Sequence, residues 1–334
     1  MLLVTALQTR SRALLPGVTV TLLVAASAAC LSAHLHAPPM LLALLFGIGM
    51  NFLMTPSCKP GIEFAARDVL RVGVALLGTR ITFEQIVQLG WHPIVLVIVS
   101  VVATILFSAI AARLVGFNTL FGFLTGGATA ICGASAALAL SASLPAHPAK
   151  EIATAFTIIG ASVVSVVAMI AYPILARHLG LSAVTSGVFI GGSIHEVAHV
   201  VGAGYSISRE TGDIATIVKL MRVAMLVPVI ACAAMLTRRT ESSAAPSERP
   251  PLLPWFAVAF VLLAGINSIG WIGGPLQTFT NDVSRWCLIV AMSAIGMKTQ
   301  LKQIVAVGLK PVVLMLGEAV FLAALVLCLS RWLH

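Results

Sequence analysis

The stretch Gly191-Gly192-Ser193-Ile194-His195-Glu196-Val197-Ala198-His199 places two histidines and a carboxylate inside a segment that is otherwise apolar. Ionisable side chains are costly in hydrocarbon, and where they occur they mark a transport pathway or a binding site. Two glycines open the stretch, and Gly202 and Gly204 follow it, so a regular helix is weakened on both sides. We therefore expect the chain to build a membrane-spanning bundle around this segment.

The composition identifies the class of protein. Of 334 residues, 59% are hydrophobic and 9% are charged, and the mean hydropathy is +1.06. A soluble domain carries about 25% charged residues, so we interpret the chain as an all-α polytopic membrane protein. Its net charge of +9 is spread over short gaps between apolar runs, which indicates membrane topology and not nucleic-acid binding. The six cysteines form no CxxC pair, so we expect no disulfide framework, no cysteine zinc site and no cofactor.

Apolar runs of bilayer-spanning length predict about ten or eleven helices in one transmembrane transporter domain, 1–334. The runs lie at about 14–33, 39–54, 65–79, 93–114, 119–141, 152–177, 183–205, 214–236, 254–271, 283–297 and 311–333. Short or glycine-broken segments, here 119–141 and 183–205, are of the kind that transporters use at their sites. The gap at 237–254 is rich in Ser, Ala, Pro and charge, and we predict that it is a cytoplasmic linker.

The basic residues predict an orientation. Gaps on the N-terminal side of the membrane carry twelve of them: Arg10, Arg12, Lys59, Arg67, Arg113, Arg177, Arg238, Arg239, Arg249, Lys298, Lys302 and Lys310. Gaps on the other side carry four: Arg80, Lys150, Arg209 and Arg331. Because basic residues concentrate in cytoplasmic loops, we expect a protein of the bacterial cytoplasmic (inner) membrane with its N-terminus in the cytoplasm.

An offset of 218 residues aligns the segment 39–112 with 257–330. It matches Gly78, Gln85, Ile86, Val87, Gly90 and Pro93 with Gly296, Gln303, Ile304, Val305, Gly308 and Pro311. The copies lie seven helices apart, and an odd separation means opposite orientation. Inverted repeats are the signature of alternating-access transporters, and duplication without transport is the alternative. The two Gly-Gly segments, however, lie two helices apart, which would make them parallel.

A second polar, glycine-rich stretch occurs at membrane depth, Thr125-Gly126-Gly127-Ala128-Thr129-Ala130-Ile131-Cys132-Gly133-Ala134-Ser135. Glycines let a helix unwind, and the freed amides and hydroxyls can then bind an anion. Close helix packing through small residues is the alternative. Together with the Gly191 stretch, this segment predicts substrate-binding residues Gly126, Gly127, Thr129, Cys132, Gly133, Ser135, Gly191, Gly192 and Ser193.

The remaining ionisable residues near these stretches allow more than one role. Lys219 and Arg222 lie three apart, on one face of the next helix, where they could contact an anion or extend to the interface. His195 and Glu196 suit proton coupling because histidine titrates near neutrality. His195-Glu196-Val197-Ala198-His199 also matches HExxH, in which a helix presents two zinc-ligating histidines and a general base. A catalytic zinc needs a third protein ligand, and no motif around the other deep carboxylate, Glu318, supplies one.

Three of these motifs together resemble a known family. The segments Gly126–Ala136, Ser193–Ala198 and Lys219–Val223 look like those of the YeiH-type inner-membrane proteins, and the resemblance covers nearly the whole chain. These proteins are also grouped under the name sulfate exporter family, and that name implies export of sulfate. In that family glutamine often stands where this chain has His199, which would make a second zinc ligand dispensable. The repeat and broken helices are also similar to the sodium/proton antiporter and bile-acid symporter fold, by analogy alone.

We therefore predict a secondary active transporter of a small inorganic or organic anion, with sulfate export as the specific hypothesis. Its expected partners are the anion, the lipid bilayer and a coupling proton or sodium ion, and a homodimer is one compatible assembly. We expect no enzymatic activity. The alternatives are an intramembrane zinc protease that uses His195, Glu196 and His199, and a channel or scaffold that does not transport.

Overall fold

The computed structural model describes residues 2–35, 38–144, 150–238, 254–299 and 309–332. Within these ranges the chain is helical and contains no strand. In this part of the chain, five helices are long and apolar enough to cross a membrane: Ala13–Leu35, His92–Val115, Lys150–His178, Arg209–Ala233 and Lys310–Arg331. The all-α polytopic membrane fold is thus confirmed. The predicted linker at 237–254 lies almost wholly outside the described residues.

The contacts divide the chain into two compact units. The first comprises Met1–Gln88 and Trp255–Gln300. Its α-helices are α1 (Leu2–Leu35), α2 (Pro39–Gly49), α3 (Lys59–Phe64), α4 (Leu70–Leu77), α5 (Phe83–Gln88), α14 (Trp255–Ser268) and α15 (Gly274–Lys298). The second comprises Leu89–Pro254 and Leu301–His334. Its helices are α6 (His92–Val115), α7 (Thr119–Ala130), α8 (Ala134–Ser143), α9 (Lys150–His178), α10 (Ala183–Ser193), α11 (Val197–Ile207), α12 (Arg209–Ala224), α13 (Leu226–Arg238) and α16 (Leu309–Trp332).

Glycine lets helices of the first unit approach closely. A Cβ atom placed on Gly47 of α2 would lie 2.9 Å from the Cα of Gly296 on α15. A Cβ on Gly78, just after α4, would lie 3.1 Å from the Cβ of Leu263 on α14. An offset of 218 residues matches α2 with α14 and α4 with the end of α15. The contact between α2 and α15 therefore corresponds to the contact between α14 and α4, as a repeat requires. Part of the aligned sequence, at 300–308, lies outside the described residues, and the inverted repeat remains a prediction.

In the second unit, α7 and α8 form a hairpin, which we call hairpin 1, with its tip at residues 131–133. Leu140 of α8 lies directly against Gly127 of α7, where any added Cβ atom would overlap it. Leu124, Ala128, Ala137 and Leu140 form one buried cluster between the two helices. Residues thirteen apart in sequence can touch in this way only if α8 folds back along α7. The segment 119–141 therefore folds back on itself, and the prediction that it is a single broken membrane span is wrong.

Hairpin 2 consists of α10 and α11, with its tip at residues 194–196, and α12 shows its geometry. The glycine positions of α10 pack on α12 in the same order along the chain: Gly187 lies against Ile214 and Gly191 against Val218. In α11 the order is reversed. Gly204, late in α11, packs on Gly212 near the start of α12, whereas His195, just before α11, contacts Lys219 farther along α12. Since α10 runs parallel and α11 antiparallel to α12, the two helices fold back on each other.

The long helix α9 contacts both hairpins in succession. Near its start, the Thr154 hydroxyl donates to Ser141 Oγ at the open end of hairpin 1, at 2.7 Å. Farther along, Ala161 faces Gly133 at the tip of the same hairpin. Hairpin 1 therefore lies along the first half of α9 with its tip near the middle of that helix.

The second half of α9 contacts hairpin 2, whose tip lies near the middle of α9 and whose open end lies near the carboxyl end of α9. Ser165 accepts a hydrogen bond from the backbone amide of Glu196, at the tip, at 3.1 Å. Near the end of α9, Arg177 donates to the carbonyl of Ser206, at the open end of the hairpin, at 3.0 Å. The two hairpins thus enter the second unit from opposite ends of α9 and meet tip to tip.

This arrangement determines the relative orientation of the two Gly-Gly segments. Each segment returns to the side from which it enters, and only α9 passes between them. They therefore point in opposite directions. The predicted parallel orientation, which assumed two full spans with one span between them, is wrong.

A test follows from the hairpins. With the six native cysteines replaced, single cysteines at Asn118, before hairpin 1, and Leu179, before hairpin 2, should react with an impermeant thiol reagent from opposite sides of the membrane. Both positions are exposed. Full spans at 119–141 and 183–205 would instead put both on the same side. Labelling of the two cysteines from one side of sealed, oriented vesicles would contradict the hairpin fold.

Candidate functional site

The candidate site lies where the two hairpin tips meet, entirely within the second unit. Hairpin 1 begins at a capped helix start, since the side chain of Asn118 accepts from the amide of Phe121 at 2.8 Å. Its first helix ends at Ala130, and Gly133 adopts φ 65° and ψ −120°. Only glycine takes up such a conformation readily, so Gly133 permits the sharp reversal at this tip.

Arg222 of α12 binds the carboxyl-terminal ends of both inward-running helices. Its Nε donates to the carbonyl of Ala130 at 2.7 Å and its Nη2 to that of Thr129 at 2.9 Å, both in α7. Its Nη1 donates to the carbonyls of Gly191 and Ile194, at the end of α10, at 3.2 and 3.0 Å. The side chain is fully buried. A guanidinium carries five N–H donors in a planar fork, and here that fork joins the two hairpins.

Lys219, one turn earlier in α12, completes this connection. Its Nζ donates to the carbonyl of Ile131 at 2.7 Å, to that of Ile194 at 2.9 Å and to that of His195. An ammonium has three N–H donors, and all three are used. The partial negative charges at the ends of α7 and α10 account for two buried cations at this position. The contact with an anion predicted for Lys219 and Arg222 remains a prediction. All three donors of Lys219 already serve the backbone, and Arg222, which has five, makes four hydrogen bonds to it.

The other two helices present their amino-terminal ends at the same junction. Helix α8 starts after Gly133 and α11 after Glu196, and no side chain caps either start. Unpaired amides and the positive end of the helix dipole favour an anion at such a place. Ser135, in the first turn of α8, is exposed, and Ala134 is partly exposed. This edge of the junction is therefore accessible.

Glu196 faces the amino end of α8. A Cβ placed on Gly133 would lie 3.2 Å from its Cγ and 3.7 Å from its Oε1. The carboxylate also accepts a hydrogen bond from Ser162 Oγ at 2.5 Å, and its Oε2 lies 3.2 Å from Nδ1 of His199. The Glu196 side chain is 20% exposed. A carboxylate thus occupies the place where an incoming anion would meet the α8 amides.

The two histidines of the HExxH pattern do not form a metal site. His195 lies in the tip, before α11 begins at Val197, whereas His199 lies within that helix. A zinc pair at i and i+4 requires one continuous helix through both. Among the described residues, no group of three or more His, Cys, Asp or Glu side chains could hold a metal ion. The protease alternative is therefore not supported.

His195 has a different environment from the one expected of a proton partner for Glu196. It is fully buried, and neither ring nitrogen has a hydrogen-bond partner in the described part of the chain. Buried polar atoms normally have partners, so this ring is able to bond to a ligand. His199, not His195, is the histidine that lies beside Glu196, but within the described residues its ring nitrogens make no hydrogen bond either.

The other predicted binding residues fall into two groups. Gly126 packs on Ser108 of α6, Gly192 on Val326 of α16, and Gly191 and Gly127 make the hairpin contacts described above, contacts of the kind expected from the packing alternative. The hydroxyl of Ser193 donates to the carbonyl of Phe189 in its own helix. The second group lies at or next to the tip of hairpin 1: Thr129, Cys132, Gly133 and Ser135. Binding by any of these residues remains a prediction.

Sequence reasoning found Glu318 without finding its role. The sequence identifies it only as a second deep carboxylate, and the structure places it on α16, buried among hydroxyl groups of α6 and α7. Ser108, Thr125 and Thr129 are its partners. They belong to helices distant in sequence from Glu318, so no local motif could have indicated the cluster.

Comparison with known proteins identifies the family. The profile described as "Conserved hypothetical protein 698" matches residues 16–315. The chain is 50% identical over 320 residues to a UPF0324 membrane protein of Chlorobaculum tepidum, covering 95% of this chain and 89% of that protein. The chain belongs to the UPF0324 membrane protein family. The UPF0324 membrane protein TauZ of Paracoccus pantotrophus is also 50% identical, over 93% of both chains, and one from Rhizobium meliloti is 46% identical over 93% of this chain and 91% of its own.

The family resemblance in the sequence analysis is thereby confirmed, and the relatives' printed names are those of membrane proteins. No solved structure matches the chain at a significant level.

The bridging role of Arg222 can be tested by stability. Arg222→Met leaves four buried carbonyls without this donor, and an unsatisfied buried acceptor costs about 1–3 kcal/mol. We expect a loss of at least about 3 kcal/mol, observed as a much lower Tm in detergent. Arg209→Met, at the exposed start of the same helix, is the matched control and should melt near the wild type. Equal melting of the two variants would mean that the guanidinium does not hold the tips.

Proposed function

We propose that this protein is a secondary active transporter of a small anion. The observation that carries the proposal is the meeting of two opposed hairpins whose carboxyl ends are neutralised by Lys219 and Arg222 and whose amino ends remain uncapped. Opposed half-helices at one point are the arrangement in which transporters place a substrate. Uncapped amino ends select negative charge.

In this proposal Lys219 and Arg222 position the tips, and the anion binds mainly to backbone amides at the start of α8, beside Ser135. The two cations still add positive potential to the site without giving up their carbonyl partners. Ser162 and the unpaired nitrogens of His195 are further groups that can orient an oxyanion. This division of roles keeps the backbone paired whether or not the anion is present, which a low-dielectric surrounding demands.

Glu196 gives the proposed site a means of coupling to protons. Its carboxylate and the substrate anion compete for the same helix end, so the anion binds better when Glu196 is protonated. His199 is the neighbour able to exchange that proton, because its Nδ1 lies 3.2 Å from the carboxylate. Proton and anion would then be carried together. Sodium remains the other coupling ion to test.

We also propose that the N-terminus is cytoplasmic in a bacterial inner membrane. If each hairpin enters and leaves on one side of the membrane, Arg177 moves from the N-terminal side to the other side and Lys150 moves the opposite way. The N-terminal side therefore still carries twelve basic residues and the other side four. The hairpin fold therefore preserves the charge bias from which the orientation is inferred.

The first test is counterflow of labelled sulfate in proteoliposomes of the purified protein. Saturable exchange of external label against internal sulfate is expected of a carrier, and its absence in protein-free vesicles is the control. Flux without saturation or counterflow would favour a channel. No flux at all would remove sulfate as the substrate, and the same vesicles would then be screened with organic sulfonates and other small anions.

Glu196→Gln tests the competition at α8. It removes a negative charge from the anion's place while retaining a group that can pair with Ser162. At neutral pH the half-saturating sulfate concentration should fall by about tenfold or more, since one tenfold step is about 1.4 kcal/mol and a near charge pair exceeds that in a protein interior. Glu210→Gln, exposed at the start of α12, is the control and should leave the value unchanged. An unchanged value in both variants would place the anion elsewhere.

A further inference from the structure

A second carboxyl group, Glu318, is enclosed by hydroxyl groups on the side of hairpin 1 that packs on α16. The side chain is fully buried. Its Oε1 contacts Ser108 Oγ and lies 2.7 Å from Thr125 Oγ1, and its Oε2 lies 2.8 Å from Thr129 Oγ1. These are direct hydrogen-bond distances, so no space is left between the oxygens for a metal ion.

The number of available protons decides the charge of this group. Ser108 Oγ also lies 2.6 Å from the carbonyl oxygen of Gly122, which can only accept. Four oxygen pairs, each separated by 2.8 Å or less, therefore need a proton each: Ser108 with Gly122, Ser108 with Glu318, Thr125 with Glu318 and Thr129 with Glu318. Thr125 Oγ1 also lies 3.1 Å from Ser108 Oγ and 3.4 Å from the carbonyl oxygen of Gly122, and these longer contacts do not require one. The three hydroxyls supply three. If Glu318 were ionised, one of the Ser108 contacts would bring two oxygens together with no hydrogen between them.

Protonation of Glu318 removes the shortfall. Its carboxyl O–H donates to Ser108 Oγ, Ser108 donates to the Gly122 carbonyl, and the two threonines donate to the carboxyl oxygens. Each of these four short oxygen pairs then holds one proton.

Among the described residues, the charged groups around the cluster do not provide an ion-pair partner. Of the helices that pack on α16, α7 and α10 carry no titratable side chain, and those of α6, His92 and Arg113, lie at its ends. Helix α9 meets α16 where Gly160 lies against Met315. The titratable residues of α9 are at least nine positions from Gly160: Lys150, Glu151, Tyr172, Arg177 and His178. Within α16 itself, Lys310, Cys328 and Arg331 are at least eight positions from Glu318.

Thr129 connects this carboxyl to the hairpin tips. Its hydroxyl donates to Glu318, and its carbonyl accepts from Nη2 of Arg222, the residue that joins the two hairpins. A change in the charge of Glu318 therefore acts directly on the residue through which Arg222 holds α7.

We propose that Glu318 is a proton-binding site of this protein, occupied when the two tips are joined as they are here, and that loss of its proton loosens hairpin 1. The assignment of this proton to transport coupling rests on the proposed carrier function. The presence of the proton does not, so the two can fail separately.

Infrared spectroscopy of the purified protein tests the proton directly. The wild type at neutral pH should show the C=O stretch of a protonated carboxyl group, and Glu318→Gln should lose that band. Glu210→Gln, which changes an exposed carboxylate, should retain it. Ser108→Ala removes the acceptor of the carboxyl proton and should shift the band to higher frequency, which provides a second variant if Glu318→Gln does not fold. A spectrum with no such band, or one unaffected by both variants, overturns the proposal.

Reconstituted protein tests the coupling. An imposed proton gradient should accelerate labelled sulfate uptake by the wild type and by Glu210→Gln, and this stimulation should be lost in Glu318→Gln and in the near-isosteric Thr129→Val. Full stimulation in Glu318→Gln would overturn the coupling role. Absence of sulfate counterflow in the wild type would count against the carrier proposal alone, because the infrared band is measured without substrate.

Discussion

The structure of the second unit depends on one set of hydrogen bonds, those from Lys219 and Arg222 to the backbone carbonyls that end α7 and α10. A helix that stops inside a membrane protein leaves carbonyl groups without partners, and no water in the hydrocarbon replaces them. Two adjacent helix ends of the same polarity would also repel each other. Two cations from one face of α12 satisfy the carbonyls and neutralise both helix ends at once.

This constraint explains why the hairpins occur as an opposed pair. With their carboxyl ends held by α12 and their length supported by α9, the tips can meet only where the two cations lie. The amino ends of α8 and α11 then face the same junction without any capping side chain. Satisfying the carbonyls thus creates, as a geometric consequence, a place of positive potential beside Ser135 and Glu196. Lys219 and Arg222 bind the carboxyl-terminal helix ends at the junction, and the proposed anion site uses the amino-terminal helix ends at the same junction.

The two carboxyl groups near this junction have different surroundings and therefore different proposed roles. Glu196 is partly exposed, has a histidine beside it and faces a helix end, so its charge opposes an anion directly. Glu318 is buried among three hydroxyl groups, and because Ser108 also lies against the Gly122 carbonyl, their three protons fall one short of the four short oxygen contacts unless Glu318 carries a proton. Both groups connect to the tips, Glu196 through its own backbone and Glu318 through Thr129. A carrier that moves an anion with protons needs groups of both kinds. The protonation of one changes when the substrate binds, and the protonation of the other changes with the conformation.

The sequence by itself determined the class of fold and the neighbourhood of the site. Hydropathy and charge spacing sufficed for a polytopic membrane protein, because burying backbone and apolar side chains in lipid is a local, additive requirement. The Gly126 and Gly191 stretches were recognisable because polar groups and glycines are rare at that depth. Only the tertiary structure decided that these stretches are hairpins, since an apolar run of spanning length has the same composition whether it crosses or turns back. It also decided that Lys219 and Arg222 serve the backbone and that Glu318 joins Ser108, Thr125 and Thr129. Those partners lie 24 to 210 residues away in the chain and are brought together only by helix packing.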